Sequence, residues 1–376
     1  MSISAAEIPG QACARELADL LDRYQAQRIF LVTGKRSFEL SGASAALAPL
    51  LESRSVTHFN DFSPNPTLEE VETGLALYRS EAPDLVLAIG GGSAMDLAKM
   101  INALASSDKS LRDLLTGVAA PEDTCLPLVA VPTTAGSGAE VTHFAAVYVD
   151  GKKFSVTHES LRPAHQILDA SLTASLPTYL TAATGMDALA QAIESYWSVR
   201  STPESRVHSS KAITLCNASL VEAATAPSEA AREAMMQASY SAGLAIDVAR
   251  TTAPHALSYI LTTDFGVTHG HAVALTLGAV FAFNANGEGI SGGGSEPLRL
   301  TMSNLCELLG CANGEAAALH IGSLMQSCRL KTRLREVGVS RGDLPRLAAS
   351  VNPERLKNNP REFSPQALGA ILESVF

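Results

Sequence analysis

The sequence predicts an α/β nucleotide-binding domain at the N-terminal side and an all-α domain after it, and three observations carry that expectation. In the first half, short apolar runs alternate with amphipathic stretches, the pattern of parallel strands joined by crossover helices. From about Pro177 onward the texture changes to long Ala- and Leu-rich segments with few β-branched runs. One apolar run also opens directly into a glycine triplet and then a helix. In chain order, the predicted strands are Arg28–Val32 (RIFLV), Asp84–Ile89 (DLVLAI), Leu126–Val131 (LPLVAV) and Ala145–Val149 (AAVYV), each short and bounded by Gly, Pro or Thr. The amphipathic segments Thr67–Ser80 and Ala94–Ser106 supply helices between them. The division expected is residues 1–177 for the α/β dinucleotide-binding domain and 178–376 for the helical metal- and substrate-binding domain.

The chain has 376 residues, 46% hydrophobic and 18% charged, which suits two globular domains rather than one core. A formal charge of −10 argues against nucleic acid as a partner, so any anionic ligand needs a local basic cluster. The longest apolar candidate, Ala272–Phe283, is too short to cross a bilayer and reads as a buried helix, so no membrane partner is expected. The first residues lack the pattern of a secretory signal. Six scattered cysteines, without the paired spacing of a zinc or redox motif, fit reduced thiols in a cytoplasmic protein. The stretch Ser291–Ser295 (SGGGS) reads as a loop between helices.

The run DLVLAI leads into Gly90-Gly91-Gly92-Ser93 and a helix bearing Asp96 and Lys99. Backbone without side chains at a strand-to-helix turn lets phosphate approach the helix N–H groups. The spacing is not GxGxxG, because Met95 stands where the third glycine belongs, and a plain tight turn is the competing reading. A second turn, Pro132–Glu140 (PTTAGSGAE), follows LPLVAV in the same way. Two such turns at the carboxyl ends of two parallel strands favour a nucleotide. In the helical half, Asp187 and Gln191 are four apart on one helical face, with Leu189, Ile193 and Trp197 on a core stripe. His255 and His269 follow; with Asp187 and an amide oxygen they can make a mixed N/O site for a divalent ion, although any one of them alone reads as an ordinary buried residue.

These residues resemble the iron-dependent (group III) alcohol dehydrogenases, which share their fold with glycerol dehydrogenase and dehydroquinate synthase. LVTG, AIGGGSAMDLAK, VPTTAGSGAEVT, ILDASLTASLP, GMDALAQAIESY, HALSY, HGHAVAL and NNPREFS carry the resemblance along the whole chain. It implies a dehydroquinate synthase-like fold, a metal and a nicotinamide cofactor, with the homodimer common in the family. The four metal positions fall on Asp187, Gln191, His255 and His269. Gln191 is a departure from the usual His, and its neutral oxygen should bind a soft metal less tightly. Fe2+ is the first expectation, Zn2+ or Mn2+ the alternatives. A family histidine of the proton relay is Tyr259 here; Tyr259, His271 or water is expected to supply the proton. Cofactor positions carried over are Gly34, Lys35, Arg36 and Ser37 after the first strand, Gly91, Gly92, Ser93 and Asp96 at the phosphates, and Thr133, Thr134 and Ser137 near the nicotinamide. Gly34 replaces the Asp of NAD-preferring members, so NADP(H) is expected over NAD(H).

Arg250 stands where typical members have a small residue, and a guanidinium fork suits a carboxylate, phosphate or phosphonate. Lys153 is a second candidate for the substrate anion; Arg200 and Arg206 read as surface cations. ARTTAPHALSY, Gln191 and HGHAVAL are similar to the phosphonoacetaldehyde reductase branch of the family, which implies reduction of phosphonoacetaldehyde to 2-hydroxyethylphosphonate. The alternatives are another short phosphonate carbonyl such as phosphonopyruvate, a general iron-type alcohol dehydrogenase, a cyclase-type lyase with no net cofactor consumption, and a catalytically silent derivative.

Overall fold

The protein is described by a computed structural model covering residues 9–287, 290–291 and 296–376. Residues 1–8, and residues 292–295 of the predicted SGGGS loop, lie outside the described residues. The described residues form two compact units: one contains residues 9–134 and 139–176, the other residues 135–138 and the described residues from 177 onward.

The first unit is built on a parallel sheet of β1 (Arg28–Thr33), β2 (Ser55–Phe59), β3 (Leu85–Gly90), β4 (Leu128–Pro132) and the short β7 (His165–Gln166), in the order β2-β1-β3-β4-β7. Strand period two explains its layers. Phe30, Val32, Val86, Ala88, Leu128 and Ala130 enter one apolar cluster, while Ile29, Leu31, Leu85, Leu87, Val129 and Val131 enter another. With both faces covered, the strands read as continuous apolar runs. Helices α1 (Gln11–Arg23), α2 (Ser37–Leu40) and α3 (Ala43–Leu51) supply residues to the second cluster; α4 (Leu68–Glu81), α5 (Gly92–Leu104) and α6 (Leu111–Thr116) supply the first. A Thr67/Glu70 capping box starts α4.

One sequence expectation changes here. The run Ala145–Val149 is not a strand of the parallel sheet: β5 (Phe144–Val149) pairs antiparallel with β6 (Lys152–Thr157). The two-residue turn Asp150-Gly151, with φ 51° and 72°, has the left-handed backbone that a tight hairpin requires. Alternate burial along β5 matches a hairpin with one covered face.

The second unit is helical: α7 (Thr178–Trp197), α8 (Pro203–Thr225), α9 (Glu229–Ala249), α10 (Ala253–Thr263), α11 (His269–Ala285), α12 (Leu298–Leu308), α13 (Gly314–Ser327), α14 (Leu344–Ser350), α15 (Pro353–Leu356) and α16 (Pro365–Ser374), besides short 3-10 turns and the small pair β8 (Ile290–Ser291) and β9 (Glu296–Pro297). Helix α7 is its centre, buried almost all round and packed by α8, α9 and α11. Its alanines and glycine let neighbours approach closely. Leu189, Ile193 and Trp197 lie in the core, and α11 contains the predicted buried segment. No described helix is long and apolar enough to cross a membrane.

Candidate active site

In the first unit, β3 and β4 lie side by side with Gly90 opposite Pro132, so the turns that follow them leave the same sheet edge together. Thr133 N–H donates to Gly90 O at 2.9 Å. Gly91 caps α5, and a Cβ there would stand 3.3 Å from the Thr134 side chain. Gly91, Gly92 and Ser93 thus form the start of a helix beside Thr133 and Thr134, the placement that receives phosphate on helix N–H groups. Thr133 Oγ1 is buried without a hydrogen-bond partner. Ser93 Oγ accepts from Asn65 N–H at 3.2 Å. Asp96 accepts from Ala146 N–H at 2.9 Å, fastening the β5 hairpin to α5; burial raises its pKa, against the pull of Lys99, that hydrogen bond and Lys153. Gly34 to Ser37 follow β1, with Lys35 and Arg36 exposed and Lys35 paired to Asp61 at 2.6 Å. Ser137 separates from this group and packs in the second unit.

The second unit assembles Asp187, His255 and His269, whose ligand atoms all lie within 4.8 Å of one another. Asp187 comes from the middle of α7, His255 from the first turn of α10 and His269 from the first residue of α11. Asp187 Oδ1 and His255 Nε2 are 3.3 Å apart. One turn along α7, Gln191 Nε2 donates to Ser137 O at 3.3 Å, which leaves Oε1 as the unpaired amide atom. Asp187 Oδ1 and Gln191 Oε1 are both buried with no hydrogen-bond partner. Among the described residues, Asp187 Oδ1 faces only His255 Nε2 and Gln191 Oε1 faces no donor, and buried oxygens of this kind favour an electropositive partner. Two imidazoles, a carboxylate and an amide oxygen are a donor set for a divalent transition metal, so these residues fit one.

Glu194, with no solvent exposure, completes the arrangement. One oxygen is bonded to His255 Nδ1, and the other accepts from Thr252 N–H and Oγ–H, each at 2.9 Å, and from His255 N–H at 3.4 Å. This fixes the His255 tautomer that offers Nε2. Burial opposes a charge on His255, yet Glu194 and Asp187 overcome it and push its pKa up to about 9. A cation held there would take the place of that proton. Sequence reasoning missed Glu194, although Asp187, Gln191 and Glu194 fall at i, i+4 and i+7 on one helical stripe.

Tyr259 stacks on His269 with ring centroids 6.4 Å apart and accepts a 2.7 Å hydrogen bond from Arg355; burial raises its pKa, with Arg355 pulling it down. His271 points elsewhere: Nε2–H donates to Lys331 O at 2.8 Å, so Nδ1 accepts from the Tyr179 hydroxyl at 3.2 Å. Arg250 is partly buried at the end of α9, five residues before His255; burial lowers its pKa, with Asp247 opposing and Arg200 adding to the effect. Lys153 stands on β6 of the first unit. Arg206 is no free surface cation: it donates to Ser201 Oγ and Thr301 Oγ1 and lies over the Tyr196 ring.

The sequence profile described as "Iron-containing alcohol dehydrogenase" matches residues 7–170, and that of "Fe-containing alcohol dehydrogenase family, C-terminal" matches residues 181–376. The chain belongs to the iron-containing alcohol dehydrogenase family. Like its relatives in that family, it is an alcohol or aldehyde oxidoreductase. It is 37% identical over 278 residues to long-chain-alcohol dehydrogenase 1 of Geobacillus thermodenitrificans, covering 73% of this chain and 70% of that one. It is 35% identical over 320 residues to the phosphonoacetaldehyde reductase of Streptomyces viridochromogenes, covering 82% and 80%. Among solved structures, sulfoacetaldehyde reductase from Bifidobacterium kashiwanohense in complex with NAD+ superposes with a TM-score of 0.88 at 31% identity, over 100% of this chain and 99% of that one. The fold of this alcohol dehydrogenase family member is thus the α/β-plus-helical fold expected from its sequence.

Proposed function

We propose that this enzyme reduces a small anionic aldehyde or ketone to the alcohol, phosphonoacetaldehyde to 2-hydroxyethylphosphonate fitting its residues best, with NADPH preferred over NADH. The observation that carries the reading is the place of Arg250: a partly buried guanidinium in the segment that Glu194 ties, through Thr252, to the metal-ligand candidate His255. Two similar proteins support it, because phosphonoacetaldehyde and sulfoacetaldehyde are both short aldehydes carrying a tetrahedral oxyanion. Arginine stays charged at any working pH and offers a planar fork to such a group.

When bound, the reduced nicotinamide supplies the hydride, and a divalent ion supplies Lewis-acid polarisation of the carbonyl. Asp187, His255, His269 and Gln191 would hold the ion, with Glu194 orienting His255. Residues 91–93 would receive the cofactor phosphates on backbone N–H groups, with Thr133 and Thr134 beside them. Arg250 binds the anion and orients the carbonyl. Tyr259 is our proton donor in preference to His271, because it lies against His269 while both ring nitrogens of His271 are engaged. For cofactor choice, a 2′-phosphate would compete with Asp61 for Lys35, with Arg36 and Ser37 beside it. The six cysteines are all free thiols, which supports a cytoplasmic protein, and the family resemblance supports a homodimer.

The test is cofactor consumption by metal-loaded enzyme with phosphonoacetaldehyde, phosphonopyruvate, succinic semialdehyde and butyraldehyde, each with NADPH and with NADH. Stoichiometric NADPH loss, fastest with phosphonoacetaldehyde, is expected. Product formation without cofactor loss would instead indicate a cyclase-type lyase, and no turnover of any carbonyl a silent derivative.

A further inference from the structure

Arg250 has φ 63° and ψ 172°, a backbone region that glycine occupies and other residues almost never do. Such a conformation persists only where its surroundings impose it. Here Asn358 donates one amide hydrogen to Ala249 O and the other to Thr251 O, both at 2.9 Å. Ser198 Oγ–H lies 2.7 Å from the same Ala249 carbonyl and 3.0 Å from Asn358 Oδ1, and Oγ accepts from Arg200 N–H at 3.0 Å. Asn358 is fixed in turn, its carbonyl accepting from Val199 N–H at 3.2 Å. Beyond Thr251, the next N–H, on Thr252, is held by Glu194. The peptide planes before Arg250 and after Thr251 are therefore both pinned. One primary amide gives a donor to each of the two carbonyls and an acceptor within reach of the Ser198 hydroxyl.

We propose that Asn358, braced by Ser198, is a positioning residue for substrate selection: it imposes the glycine-type backbone of Arg250 and so sets the direction in which the guanidinium meets the substrate's anion. The proposal rests on the reading of Arg250 as the anion site. Locking the short loop removes backbone freedom that the complex would otherwise lose on binding. Aspartate at 358 keeps the shape but cannot donate, and sets a charge against two carbonyls.

The experiment measures kcat and KM of the metal-loaded enzyme for phosphonoacetaldehyde and for butyraldehyde. Its variants are Asn358→Asp, Arg250→Ala and the pair combined. Asn358→Asp is expected to cut the phosphonate-over-neutral ratio of kcat/KM by about tenfold or more, mainly through KM, and to add less than about twofold to Arg250→Ala. Equal losses for both aldehydes, or the same loss again on top of Arg250→Ala, would overturn the proposal. If Arg250→Ala abolishes the ratio while Asn358→Asp spares it, only the proposal fails. If Arg250→Ala leaves the ratio unchanged, the anion reading fails and the proposal with it. Should Asn358→Asp not fold, Arg250→Gly against Arg250→Ala decides the backbone claim: the glycine variant must melt at the higher temperature, and an equal or lower Tm refutes the imposed strain.

Discussion

At the scale of single residues, Glu194 shows how much chemistry can sit behind a ligand. Its carboxylate joins the orientation of His255 to the position of the Thr252 backbone, so the candidate metal site and the Arg250 segment share one anchor. Glutamine there keeps the volume but loses the charge that favours His255 Nδ1–H. Glu194→Gln is expected to weaken divalent-metal affinity by about 10- to 100-fold, measured by chelator competition; unchanged affinity would mean that Glu194 only fills space. The resemblance placed Asp187, His255 and His269 at candidate metal positions and the structure brings their ligand atoms together, whereas their spacing alone does not separate them from ordinary buried residues. Glu194 was not legible in the sequence, since a glutamate near a helix end ordinarily faces solvent and only its hydrogen bonds to Thr252 and His255 reveal otherwise.

At the scale of elements, the middle residue of His269-Gly270-His271 explains why two helices can share a site. A Cβ on Gly270 would lie 2.1 Å from Ala183 O and 2.7 Å from Asp187 Cβ, so α11 rests directly on the α7 backbone. That approach brings His269 to Asp187. Gly270→Ala must push the helices apart, and a loss of about 1–3 kcal/mol in unfolding free energy together with weakened metal binding is expected; denaturant titration and metal titration check it, and a wild-type profile in both would contradict the close-packing account. The sequence showed the glycine but not what it faced. It likewise showed β5 as an apolar run without showing its partner, because the half-buried Ala146 and Tyr148 are themselves apolar or aromatic and hide the alternation of a hairpin strand. The parallel strands around β3 and β4 were readable because both faces are covered, which leaves only apolar positions.

At the scale of the whole molecule, the anionic substrate we propose would have to be held by local placement, because the overall field of a chain of net charge −10 opposes it. Burial has a pH signature as well. Glu140 is buried with Oε1 unpartnered, and burial raises its pKa from 4.5 to about 7 despite a backbone hydrogen bond and Lys99. Between those values the folded state binds more protons than the unfolded, so stability is fully present below pH 4.5 and falls as pH rises through 7, on the order of 3 kcal/mol in all. Glu140→Gln is expected to flatten that part of the Tm-against-pH curve; an unchanged slope would assign the pH dependence to other groups. The central claim is that a fixed cation near the candidate metal site selects the substrate. Its most direct test is the ratio of kcat/KM for phosphonoacetaldehyde to that for butyraldehyde, in the metal-loaded enzyme and in Arg250→Ala. A ratio well above one is expected in the wild type, falling by about 10- to 100-fold in the variant, whereas equal losses for the two aldehydes would refute the role of Arg250.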